Sequence, residues 1–163
     1  MRPFSLLFVT GRPFAGMCAA LLAVCVFSTQ LAAAGDIPGE GDTLPSLQII
    51  APALKGEQQY LGVPAQGVFG VEDIAGKLVV LELVGVYCPY CHKQAPLFNS
   101  LYNRLQRSGL GDTVKMLALA SGATAPEVEQ LRKHSRYAYP VVRDEDFSVH
   151  RALGEPKTPY TLV

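Results

Sequence analysis

Residues 78–96 read LVVLELVGVYCPYCHKQAP, from Leu78 through Cys88 and Cys91 to Pro96. The first seven, Leu78 to Val84, form a nearly continuous apolar and β-branched run, the pattern of a strand buried on both faces. From Pro89 the period changes. Phe98, Leu101, Tyr102 and Leu105 fall on one face of a helix that runs to Ser108, with Gly109 as its stop. Cys88-Pro89-Tyr90-Cys91 therefore sits where a buried strand hands over to a helix.

Outward from this stretch the same alternation continues. Val114 to Leu119 reads as a second buried strand, and Thr124-Ala-Pro-Glu127 resembles a capping box opening a helix to about Tyr137. Tyr139 to Val142 reads as a short strand, and Phe147 to Leu153 as a short helix closed by Gly154. Strands alternating with helices predict an α/β domain with parallel pairing. On the N-terminal side, residues 35–46 (GDIPGEGDTLPS) read as a linker or extended lead-in, and Leu47 to Ile50 as a short edge strand. Residues 51–76 show no clear period and read as loop and short strand. The domain is thus expected over 47–163.

The first 34 residues differ in kind. Arg2 and Arg12 precede an apolar run from Ala15 to Phe27, and Ala32-Ala33-Ala34 offers a small-residue cleavage site before Gly35. These are the parts of a secretory signal peptide, with an uncleaved membrane anchor as the alternative. Either way the domain is exported. Residues 1–34 hold two of the 14 basic side chains and no acidic one, so the remainder carries a net charge of −2. Such a balance lacks the basic field of a nucleic-acid binder. At 163 residues, 49% hydrophobic and 17% charged, the chain is one folded domain of ordinary size rather than a disordered polymer.

Setting the leader aside also removes Cys18 and Cys25 and leaves two cysteines, Cys88 and Cys91. A bridge across two intervening residues restrains the unfolded chain little, so the pair is better explained by chemistry than by stapling. Backbone N–H groups and the dipole at a helix N-terminus stabilise an anion, so Cys88 is expected to ionise readily. Cys91, one turn inside, is the more shielded partner. The chemistry this suggests is attack by Cys88 on a disulfide, a mixed disulfide, and release by Cys91. A CxxC is also half a zinc site, but no second pair remains and His134 and His150 lack finger spacing, so no metal is expected. Cys88-Pro-Tyr-Cys-His92 also matches a c-type haem attachment signature, with His134 or His150 as candidate distal ligands.

The segment Leu78 to Pro96 resembles the active-site region of the thioredoxin superfamily, and among its branches the exported TlpA-like or redoxin-type thiol–disulfide oxidoreductases. An acid six residues before the first cysteine, the CxxC itself, and a proline five residues after the second coincide. The resemblance implies a thioredoxin-like fold, a central mixed sheet flanked by helices, with an added helix and strand between Leu119 and Phe147. It implies that Glu82 is the buried acid that takes the proton from Cys91, and that Thr158-Pro159 is the cis-proline facing the dithiol. A carboxyl in an apolar strand has its pKa raised, which suits proton transfer near neutrality. Tyr87 and Tyr90 either shape a substrate groove or cover the dithiol, and His92 is a solvated first-turn residue.

No cofactor is implied. The implied partners are protein thiols and disulfides, with a membrane-bound electron donor for a chain acting as a reductant. A redoxin domain can also be a peroxiredoxin-like peroxidase, but the Thr or Ser expected three residues before the peroxidatic cysteine is Gly85 here. The resemblance further implies that a strand hairpin and closing helix normally follow Pro159. A chain ending at Val163 is then expected to be truncated, with one side of its sheet uncovered.

Overall fold

The structure is a computed structural model, and it describes residues 35–163; the expected signal segment 1–34 lies outside the described residues. Its main sheet is built around β3 (Leu78–Val84), which is buried from Val80 onward. β3 pairs in parallel with β4 (Val114–Ser121), and β4 in turn with β5 (Val141–Asp144). On its other side β3 pairs antiparallel with β6 (Tyr160–Leu162), giving the mixed order β5-β4-β3-β6. A separate two-stranded ribbon joins β1 (Ile49–Ile50) to β2 (Val68–Phe69).

Period-two alternation divides the core into two layers. Leu81, Leu83, Leu117 and Leu119 point to one face, where Leu47, Ile49, Phe69, Val149 and Leu153 cover them. Val80, Val84, Met116, Ala118 and Ala120 point to the other, beneath two helices. These are α2 (Pro89–Arg107), contributing Cys91 with Phe98, Leu101, Tyr102 and Leu105, and α3 (Ala125–Ser135), contributing Val128 and Leu131.

Local chemistry sets the ends of the elements. Pro89 occupies the first turn of α2, where its fixed φ costs nothing and its missing N–H is not needed. The helix continues through Pro96, carries Arg104 and Arg107 in its last turn, and the chain leaves through Gly109 at φ 74°. At α3 the Glu127 carboxylate accepts the Thr124 N–H at 2.9 Å and the Thr124 hydroxyl at 2.7 Å, the expected box. Buried Asp144 accepts the backbone N–H groups of Val149 (3.0 Å) and His150 (2.9 Å) and so opens α4 (Ser148–Ala152).

Three expectations need correction. Residues 55–61 are helical, forming α1 (Lys55–Leu61), where loop and short strand were expected. The helix is fastened by long-range contacts: Leu61 is fully buried, the Tyr60 hydroxyl accepts the Met116 N–H at 2.9 Å, and Glu57 pairs with Arg132 of α3 at 2.6 Å. The expected strand from Tyr139 begins two residues later, because Pro140 cannot donate to a ladder; its carbonyl instead accepts the Ala118 N–H at 2.9 Å. The expected edge strand from Leu47 is reduced to Ile49–Ile50. Residues 35–46 form no helix or strand but are tied to the domain. Gly35 N–H donates to the Arg151 carbonyl at 2.9 Å, Tyr160 hydroxyl donates to the Pro38 carbonyl at 3.1 Å, and Leu44 packs on the core.

Arg132 also donates to the Val141 carbonyl at 2.6 Å, so one guanidinium links α1, α3 and β5. Both side chains of the Glu57–Arg132 pair are only 15% exposed. Removing one partner strands the other in a poorly solvated place. Arg132→Met is therefore expected to lower the unfolding free energy by about 2–4 kcal/mol. Urea unfolding followed by circular dichroism should show this loss, and the Glu57→Gln/Arg132→Met pair should recover most of it.

Candidate active site

Strand β3 ends at Val84 and three residues, Gly85, Val86 and Tyr87, carry the chain to the N-cap of α2, which is Cys88. The turn is closed by the Cys88 N–H donating to the Gly85 carbonyl at 3.2 Å. Cys88 Sγ accepts the Cys91 N–H at 3.1 Å, the place that an N-cap oxygen usually takes. The two cysteines are joined in a disulfide with their Cα atoms 5.3 Å apart. Cys88 is half-buried, whereas Cys91 is fully buried. In the dithiol form the same N–H and the helix dipole favour a thiolate at Cys88 over one at Cys91.

The Thr158–Pro159 peptide bond is cis, and Cys88 Sγ lies 3.6 Å from the Thr158 carbonyl oxygen. The ladder explains the approach. Tyr160 is the partner of Leu83, so the residues just before Tyr160 come level with the loop leaving β3.

Glu82 is wholly buried on the helix-facing side of β3, between Val80 and Val84 and in the same layer as Cys91. Its carboxylate accepts a hydrogen bond from the Tyr139 hydroxyl and one from Gln94 Nε2 at 3.0 Å. Gln94 lies three residues after Cys91 on α2 and shares its face. Tyr139 reaches Glu82 across β4. Glu82, Ala118 and Val141 are in register across the three strands, and the small Ala118 leaves the lane open. Burial pushes the Glu82 carboxyl up from the ordinary carboxylate range, and its two hydrogen bonds only partly offset this. Burial and the neighbouring carboxylate push the Tyr139 phenol up as well, so Tyr139 stays the donor.

The two tyrosines of the motif region are largely in solvent, Tyr87 at 80% and Tyr90 at 70% exposure. The Tyr87 hydroxyl nonetheless donates to Glu127 at 3.0 Å, and the Lys93 ammonium lies 5.6 Å from the Tyr90 ring centre. His92 is exposed but not free: Nδ1 lies 2.6 Å from Ser135 Oγ and Nε2 lies 2.9 Å from the Val86 carbonyl. Both nitrogens being engaged, His92 offers no ready ligand for a haem iron. His134 and His150 bond the Gln130 and Pro156 carbonyls at 3.0 Å each. Gly85 brings no hydroxyl toward Cys88, as a peroxide-binding Thr or Ser would.

Beside Cys88 lies an open cleft of about 450 Å³, lined by Tyr87, Ser121, Glu127, Phe147 and Thr158 as well. Phe147 adopts φ 58° and ψ 22°, a left-handed conformation costing a non-glycine residue of order 1 kcal/mol. Its ring lies where a Cβ on Gly122 would be, so only glycine at 122 admits it.

Sequence reasoning identified Cys88, Cys91, Glu82, Tyr87, Tyr90, Thr158 and Pro159. The structure brings the cysteines and Thr158-Pro159 together, buries Glu82 in the layer of Cys91, and adds Gln94, Tyr139, Glu127 and Phe147. Of these, Gln94 carried a local signal in its spacing from Cys91 and Glu127 one in its capping box, which marks a helix start rather than a site.

A family model described as the AhpC/TSA family matches residues 50–163. The thiol-disulfide oxidoreductase ResA of Halalkalibacterium halodurans is 30% identical over 95 residues, which are 57% of this chain and 51% of that protein. The chain spans about half the length of the curated relatives it matches. Among solved structures, the thioredoxin domain of a Bacteroides vulgatus thiol-disulfide oxidoreductase superposes with a TM-score of 0.58 at 16% identity, covering 77% of this chain and 80% of that one. A secreted Mycobacterium tuberculosis disulfide oxidoreductase superposes with a TM-score of 0.51 at 15% identity, covering 68% and 70%. The fold is thioredoxin-like.

A raised carboxyl has a consequence for stability. The folded chain keeps the Glu82 proton at pH values where the unfolded chain, at the ordinary 4.5, has lost it. This contribution is fully present below 4.5 and is lost as pH rises through the folded value. Relative to Glu82→Gln, the unmodified chain should therefore lose stability from acid toward neutral pH in urea unfolding. A difference that stays flat would place the folded carboxyl at its ordinary value.

Proposed function

The chain belongs to the AhpC/TSA family, and on that premise we propose that it is an exported thiol–disulfide oxidoreductase acting on proteins through Cys88 and Cys91. The observation that carries this reading is the asymmetry of the pair, with a half-buried Cys88 at the helix N-cap and a fully buried partner one turn inside. In the reduced protein the Cys88 thiolate attacks one sulfur of a substrate disulfide, and the other sulfur leaves as a thiolate. Cys91 then gives up its proton to Glu82 and attacks Cys88, which breaks the mixed disulfide and releases the second substrate thiol. Two electrons pass from the dithiol to the substrate.

Thr158 and Pro159, with Tyr87 and Tyr90, form the substrate contact around Cys88. The direction is reduction, as the resemblance to exported TlpA-like proteins implies. Residues 35–163 hold no second cysteine pair, so an outside, membrane-bound donor renews the dithiol. Export rests on residues 1–34, read as a signal peptide or an anchor, with 35–46 as a lead-in and 47–163 as the working domain. Among the described residues no helix is long and apolar enough to cross a membrane.

Redox titration with mass spectrometry should show Cys88–Cys91 cycling between dithiol and disulfide. A potential near about −120 mV, that of a strong disulfide-forming oxidant, would defeat the reductant assignment. Covalent haem with a Soret band on the exported protein would replace the whole reading.

Cys91→Ser should accumulate mixed disulfides with substrate, because attack proceeds and release does not, while Cys88→Ser should accumulate few. Glu82→Gln should slow turnover by about tenfold or more and leave disulfide formation intact. If thiol alkylation at graded pH modifies Cys91 before Cys88, the two roles are reversed.

A further inference from the structure

The cleft beside Cys88 has a chemical character of its own. Glu127 is the one ionisable carboxylate or cationic side chain on its lining, where it stands with two aromatic residues, Tyr87 and Phe147. Hydrogen bonds from the Thr124 backbone and hydroxyl, and then from Tyr87, hold its carboxyl below the ordinary range, so it is charged at neutral pH. The same bonds fix its position, because a carboxylate that closes the first turn of α3 is held to one orientation although it is solvated. Phe147 is held in the cleft by a backbone conformation that phenylalanine does not favour. A fixed anion beside aromatic rings is an arrangement that attracts cations, through charge and through the ring quadrupole. The nearest cation in sequence to the cis-proline, Lys157, is exposed and does not line the cleft.

We propose that this cleft selects disulfides in which a positively charged group lies next to the attacked sulfur, so that the preferred substrate is a polypeptide with Lys or Arg flanking its cysteine. This rests on the oxidoreductase reading above and specifies its substrate class. The exchange is unchanged: Cys88 forms a bond to the substrate sulfur beside the cation, the second substrate sulfur leaves, and Cys91 resolves the mixed disulfide.

Small disulfides of differing charge test it. The full chain, reduced beforehand, would be mixed in stopped flow with cystamine (cationic), hydroxyethyl disulfide (neutral) and dithiodipropionate (anionic). Each rate constant would be divided by that of a simple thiol with the same probe, which removes the probes' own reactivity. The corrected order should be cystamine, then hydroxyethyl disulfide, then dithiodipropionate. Glu127→Gln keeps a capping side chain and an acceptor for Tyr87 but removes the charge. It should lower the cystamine-to-hydroxyethyl ratio by about three- to tenfold at low ionic strength.

High salt should compress the same ratio in the unmodified chain, a measurement that needs no variant to fold. A ratio indifferent to both Glu127→Gln and salt would overturn the charge preference and leave the oxidoreductase reading standing. Failure to react with any of the three probes would overturn the oxidoreductase reading and the preference with it.

Discussion

A strand that is hydrogen-bonded on both edges and covered on both faces has no freedom in where it delivers the chain. β3 is such a strand, between β4 and β6 and between two apolar layers. Its last residue, Val84, is wholly buried, and only three residues separate it from Cys88. The start of α2 is therefore fixed relative to the sheet to within one turn of loop. The same ladder fixes Tyr160 opposite Leu83 and so brings Thr158-Pro159 to the sulfur from the other side. Two segments 70 residues apart in sequence meet at Cys88 because both are registered on one strand.

That strand also carries a carboxyl side chain that is wholly buried. A carboxyl removed from water must be neutral, or bonded by donors that cannot easily leave. Glu82 has two such donors, each from a different direction: Gln94 from the helix above and Tyr139 from beyond the neighbouring strand. The aromatic packing of Tyr139 against Tyr102 and Tyr137, at 6.0 and 5.4 Å between ring centres, holds the phenol in place. The Glu82 carboxyl is thus positioned by the packing of the core rather than by the loop that bears the cysteines.

Legibility in the sequence followed the range of the interactions. β3 and α2 could be read because their signals are local: seven successive apolar or buried positions, then a helical period closed by glycine. The box at Thr124 was visible for the same reason. α1 was not, since KGEQQYL has one wholly buried side chain, no side-chain cap, and a stability supplied by Met116 and Arg132 far along the chain. The start of β5 shifted because Pro140 removes a donor whose loss matters only against a specific partner. The Tyr139–Glu82 and Tyr87–Glu127 contacts span 57 and 40 residues and leave no trace in spacing. Phe147 gave no sign of its left-handed backbone, because phenylalanine is not a residue that marks such a turn.

The depth difference between the two sulfurs reaches beyond a single catalytic cycle. Of the two cysteines among the described residues, a collision between two copies can present only Cys88, because Cys91 is fully buried between α2 and the sheet. A covalent dimer formed through this pair is then a Cys88-to-Cys88 link, and each end of that link lies one helical turn from a buried thiol of its own chain, which on the proposed mechanism would sever it. Crosslinking is self-erasing for such a molecule.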